Sequence, residues 1–453
     1  MLWRHLCLAR AITAAGLLTC SALGASAAGE PEEPALGPDS RAETVKVLDA
    51  QKAGSIAVEV RGQGQDRVRL TLTNTSNRRL NVVLPPGLVA SSSIGQGAGG
   101  GAGGGGGGFQ SMGLGAVTNR SGGFGQFAAS NDQPGFRSVD PTAPADQGAV
   151  SVEPGQKTVV EIPSVCLNFG LPTPTPRDRF RLVDVEDYSK DARVRKALRS
   201  LATLGTSQGM AQAAMWRVCN NVPFEVMVEQ GNKVVNPSEV ALASRFLDAL
   251  DQSADSVDPA YLTEARMFVT VEGEGQLAKD AKRLAAAIDG LRVLGLPVRV
   301  TPSGEVPKAN SPSLHLGVIL SAGPSGETRG RVVVQAATGL GGADEWTSLG
   351  QVSFRDSSAG PALDAASLAR SLDHAVGSGF VSAKVVRRST GSATLKIDNR
   401  LPFTLANVTI KAGNSSGAPL VTLPALGVGP GRAGLASIPA GNGSIDRVEL
   451  NGL

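Results

Sequence analysis

The chain is short of the residues from which most active sites and ligand pockets are built. Aromatics make up 4% of its 453 residues, with three Trp and two Tyr. That leaves little with which to line a large aromatic ligand pocket. Histidine occurs three times, and His5 falls at the extreme N-terminus. Neither His315 nor His374 sits in an HExxH, CxxC or facial-triad spacing, so both read as packing or surface residues and no metal is expected. Charge of one sign is also missing. The 43 basic and 40 acidic residues give +3, and loss of Arg4 and Arg10 with a leader leaves 41 against 40. Such a balance offers no field for capturing nucleic acid. Outside residues 11–23, no run approaches the roughly 18 apolar residues needed to cross a bilayer, and the chain ends in polar Asn451-Gly452-Leu453. No transmembrane segment is expected in the mature chain.

What is abundant is turn chemistry. Glycine (57) and proline (27) fill nearly a fifth of the chain, against an ordinary share of about 12%. The length allows roughly three domains. Residues 1–28 read as a secretory signal: Arg4, His5 and Arg10 give a cationic start, 11–23 an apolar stretch, and Ala25-Ser26-Ala27 an A-x-A cleavage site. Leu17-Leu18-Thr19-Cys20 loosely resembles a lipobox, with threonine a poor fit before the cysteine. The expected location is periplasmic or extracellular. Removal of Cys7 and Cys20 leaves Cys166 and Cys219, an even pair in a compartment that permits disulfides. A Cys166–Cys219 bridge closing some fifty residues is expected, worth about 4 kcal/mol by loop entropy; the alternative is two buried thiols.

Along the chain, residues 29–45 read as a polar tether. Strand signals start near Ile56, and 67–74 alternates with Val68, Leu70 and Leu72 on one face. Strands follow at 80–84 and around the Glu153-Pro154-Gly155 turn. Between them, residues 91–147, with Gly103 to Gly108 and scattered Phe109, Phe124, Phe127 and Phe136, read as a disordered insertion. The period turns helical with Val194, Ala197, Leu198 and Leu201, whose basic neighbours read as a solvated helix face. Further helices are expected over 208–219 and after Asn236, which with Pro237 and Glu239 forms a capping-box-like start. Strands and helices then alternate from Met267 to Arg387.

An internal repeat organises this pattern. Residues 68–74, 80–87 and 152–163 are echoed by 394–399, 404–413 and 428–439: a strand ending in asparagine, a strand ending in glycine, then a strand pair around a Pro-Gly turn. The expected architecture is multi-domain and mainly β with α+β. Two immunoglobulin-like β-sandwiches, at 46–177 and 391–453, flank a helical unit at 178–255 and an α+β domain at 260–390. In the N-terminal half, Asn74-Thr75-Ser76, Pro85-Pro86-Gly87, Val152-Glu153-Pro154-Gly155, Cys166 and Gln212-Ala213-Ala214-Met215-Trp216 resemble a module of exported bacterial proteins of unknown function. The resemblance spans about 55–225. It implies a folded secreted module and supplies no catalytic residues.

Three motifs could carry chemistry. Gly205-Thr206-Ser207-Gln208-Gly209 matches the G-x-S-x-G elbow, with Asp373 and His374 later in the chain, but a helix precedes it where a buried strand is required. Gly273-Glu274-Gly275-Gln276-Leu277-Ala278 follows a strand and opens a helix, yet Glu272 and Glu274 would repel a pyrophosphate. Asp364, Asp373 and Glu272 could supply a carboxylate pair only if the fold brought two of them together. Trp216 beside Met215 reads as core. The expectation is an exported, non-catalytic protein of the envelope or cell surface, engaged in protein interaction or surface assembly, with an unidentified protein partner and no cofactor. The alternative is a secreted serine hydrolase using Ser207 and His374.

Overall fold

The structure, a computed structural model, describes residues 42–92, 109–115, 149–204, 206–231, 235–257, 267–339, 346–356, 363–413 and 420–453. Among these it is mainly β, with 21 strands and eight helices. No described helix is long and apolar enough to cross a membrane.

The alternation at β3 (Arg67–Asn74) does what its period demands: Val68, Leu70 and Leu72 are fully buried and Arg69 is exposed. β3 pairs with β2 (Ile56–Gly62) and β8 (Lys157–Cys166). Together with β5 (Leu88–Ser91), β6 (Met112–Leu114) and β9 (Arg179–Asp184) they close a barrel in the order β2-β3-β8-β6-β5-β9. A small sheet, β1-β4-β7, is built from Glu43–Lys46, Leu80–Val83 and Ala149–Val152, with β1 parallel to β4. α1 (Val47–Lys52) sinks Val47 and Ala50 into the same core.

Several sequence boundaries move here. The tether expected through residue 45 ends in β1. Part of the expected insertion is a barrel strand: Met112 and Leu114 are buried and pair with β5 and β8, and Phe109 meets the Phe180 ring edge-on at 5.0 Å. A single Met-Gly-Leu triplet carries that strand, too short for a period to register. Phe124, Phe127 and Phe136 lie outside the described residues. The helical unit, expected from 178, begins with β9, a barrel strand.

Four main helices follow a short one, α2 (Val185–Tyr188): α3 (Ala192–Leu204), α4 (Gln208–Asn220), α5 (Phe224–Gly231) and α6 (Pro237–Gln252). The basic face of α3 is not merely solvated. Arg193 pairs with Asp251 at 2.8 Å, Arg199 reaches Glu186 at 2.7 Å and Asp184 at 3.1 Å, and Lys196 donates to the Leu250 and Ser253 carbonyls. α6 starts with the expected capping box, Asn236 and Glu239 each accepting the other's backbone N–H.

The middle sheet has six strands, ordered β11-β12-β10-β13-β14-β15: Arg292–Val293, Leu296–Val300, Met267–Gly273, Ser313–Ala322, Thr328–Ala337 and Thr347–Asp356. β10 is parallel to β12 and β13, and the rest is antiparallel. α7 (Leu277–Ile288) and α8 (Ala365–Phe380) pack their buried stripes on it. The C-terminal module comprises β16 (Val381–Ser389), β17 (Ser392–Asn399), β18 (Leu405–Ala412), β19 (Leu420–Val428), β20 (Ala433–Pro439) and β21 (Gly443–Leu450). They form two three-stranded sheets, β16-β17-β20 and β19-β18-β21. β16, expected in the α+β domain, thus belongs to the last module.

The repeat is visible at the hydrogen-bond level. Asn74 Nδ2 donates to the carbonyls of Arg78 (2.7 Å) and Val152 (2.9 Å), and its Oδ1 accepts from Ser76 N. Asn399 Nδ2 donates to Phe403 (2.7 Å) and Val428 (3.0 Å), and its Oδ1 accepts from Leu401 N. Each backbone N–H bonds the carbonyl just after the Pro-Gly turn, Gln156 or Arg432. One side chain therefore ties the first turn to the second in both copies. Asn74 is 0% and Asn399 1% exposed. Replacing Asn399 by Ala strands these buried partners and should cost about 2–3 kcal/mol in chemical denaturation; a loss below about 0.5 kcal/mol would show that the turn stands without its amide.

Candidate functional site

The elbow serine is used structurally. Ser207 is 1% exposed and caps α4, its Oγ accepting from Met210 N at 3.2 Å. A Cβ on Gly429, in the second Pro-Gly turn, would stand 2.7 Å from the Ser207 Cβ, so glycine is required for the two segments to meet. Beside them Glu239, 1% exposed, pairs with Arg432 at 2.7 Å, and Asn236 Nδ2 donates to the Pro430 carbonyl at 2.7 Å. Burial pushes the Glu239 carboxyl up while the Arg432 guanidinium pulls it down. This is a docking joint between helices and C-terminal module, with no room for a substrate at Ser207.

Its would-be partners lie elsewhere. Asp373 accepts from Leu294 N, and burial raises its carboxyl above the usual range. Asp364 caps α8 by accepting from Ser367 N at 2.6 Å, which holds it low. Glu272 accepts from Ser303 Oγ. The three carboxylates thus serve separate local contacts. In the 273–278 turn, Glu274 N–H donates to the Leu320 carbonyl of β13, and the Leu277 and Ala278 N–H groups close the turn on the Glu274 and Gly275 carbonyls. His315 sits on the sheet with Nε2 2.9 Å from Thr270 Oγ1 and Nδ1 3.2 Å from Gln335 Oε1, under Trp346 at 5.6 Å. Burial lowers its pKa, as a packed neutral imidazole requires. No group of three or more His, Cys, Asp or Glu able to hold a metal occurs among the described residues.

Of the singled-out residues, His374 lines a cavity of about 580 Å³ between β15 and α8. Its walls are Ser353, Phe354, Arg355 and Asp356 on one side and Ser367, Arg370, Ser371, His374, Ala375 and Ser378 on the other. The helix residues recur at spacings of three and one, a single face of α8. Strand side chains alternate between faces, so four consecutive lining residues place this wall along the backbone and C-terminal end of β15. β15 pairs with β14 and ends the sheet. Phe354 is folded inward across Gly330, where a Cβ would lie 2.1 Å from its ring, and together with buried Ala375 supplies an apolar floor. Arg370 Nη2 donates to Ser367 Oγ at 2.8 Å, while Arg355 has no ion pair among the described residues. The groove is not legible in the sequence, because nothing in a strand's period says whether a neighbour will pair with it.

The expected Cys166–Cys219 bridge is absent: both are free thiols. Gln212 on α4 brackets Cys166, its Oε1 accepting from Cys166 N (2.8 Å) and its Nε2 donating to Cys166 O (3.0 Å). Cys219 lies seven residues further along that helix, about 10 Å at 1.5 Å per residue, whereas a disulfide needs Cα atoms within about 7 Å.

No protein-family model matches this chain, and a search of curated proteins finds no match.

Burial pushes both thiols up to about 12, so at pH 8 the reactive thiolate is scarce in the folded state. Protein lacking residues 1–28 should react slowly with a thiol reagent when native and release two equivalents in denaturant; zero equivalents would restore the bridge.

Proposed function

We propose an exported, non-catalytic protein of the envelope or cell surface that works by protein interaction or surface assembly. The observation that carries this reading is the groove, where a strand with no outer partner among the described residues lies beside a polar helix face that carries Arg370. Open edges of this kind pair with segments of other chains. The N-terminal leader pattern supports export to the periplasm or beyond. The shared asparagine lock supports reading residues 46–177 and 391–453 as two immunoglobulin-like modules, the first lying within the stretch of about 55–225 that resembles exported bacterial proteins.

The hydrolase alternative asks Ser207 to be accessible and paired with His374, and Ser207 is instead a buried helix cap. A fluorophosphonate probe should leave the protein unlabelled. Labelling that disappears in Ser207→Ala would overturn the non-catalytic reading.

A further inference from the structure

We propose that the groove between β15 and α8 binds an extended, acidic peptide segment of a partner protein by strand addition. This rests on the interaction reading above and names the partner's chemistry. The peptide backbone pairs with the outer edge of β15, and its carboxylates meet Arg355, Arg370 and His374.

The two edges of the six-stranded sheet differ. At β11 the edge is sealed: Leu450 N–H of the last module donates to the Leu294 carbonyl at 2.8 Å, and Asp373 accepts from Leu294 N. At β15 no described strand follows. In an antiparallel ladder, alternate residues of an edge strand turn N–H and C=O outward, which is what an added strand requires. Four strand residues at about 3.3 Å each and a helix face of about 16 Å bound a trough that fits four or five extended residues.

Charge selects among occupants. Two arginines line the trough against one acid, Asp356, and His374 and the serines add hydrogen-bonding groups without opposing charge. A second copy offering the same edge would bring a second set of Arg355 and Arg370 into it. An anionic membrane would satisfy the arginines but leave the strand edge unpaired.

The test uses the full chain and three fluorescein-labelled hexapeptides followed by polarisation: alternating Glu and Val, alternating Lys and Val, and the Glu-Val peptide with alternate backbone nitrogens methylated. Saturable binding of the first should weaken about tenfold or more for the other two and with rising salt. In Arg355→Glu/Arg370→Glu the preference should shift to the Lys-Val peptide. Should that variant fail to fold, the methylated peptide on the unaltered chain decides. Equal binding of the methylated peptide, no saturation by about 1 mM, or displacement of the peptide by phosphatidylglycerol vesicles would each overturn the inference. Without peptide binding and without Ser207 labelling, this inference falls and the non-catalytic reading stands; labelling at Ser207 removes that reading whatever the peptides do.

Discussion

One helix holds the β modules together. Gln212 satisfies both backbone groups of Cys166, at the end of barrel strand β8, and the N-terminal turn of α4 seats Ser207 against the second Pro-Gly turn. Removing the Gln212 amide would bury an N–H and a carbonyl without partners, at about 1–3 kcal/mol each. Trp216, one turn on, packs against both hydrophobic cores: that of the barrel, and the larger one running from α3 through the middle sheet to Leu453. Residues 42–453 accordingly form one compact unit. A disulfide between the modules is not needed where a helix already reads the backbone of one and caps against the turn of the other.

That joint sets which surfaces are left for function. The C-terminal module lies over the short β11 edge, and β15 ends the sheet among the described residues. An open edge of ten residues invites aggregation unless it is blunted. Arg355 places charge on it, the β14 ladder shifts register between Val334 and Gln335, and α8 overhangs it with a polar stripe. Those same features give a bound peptide its direction and its charge preference, so protection and recognition are the same chemistry at this edge.

Elements whose period was long enough were legible. β3 starts and ends where its alternation does, and Asn236, Pro237 and Glu239 mark the start of α6 to the residue. The repeat was readable because its turn residues, Asn74 with Pro154-Gly155 and Asn399 with Pro430-Gly431, are the ones whose side chains and backbone the turn uses. β6 and β9 escaped because three and six residues carry too little pattern, and because β6 lies in a glycine-rich stretch. Residue types suggested a triad at Ser207, Asp373 and His374, but burial of Ser207 and the outward turn of His374 are set by packing between distant segments. His374, singled out as a triad candidate, lines the groove instead of meeting Ser207.

Hydrogen exchange with and without the acidic peptide tests the account most directly. Fragments covering Thr347–Asp356 should slow on peptide addition, while those covering α4 and the two asparagine turns stay unchanged. Slowing confined to the barrel or the C-terminal sheets, with β15 exchanging as before, would contradict it.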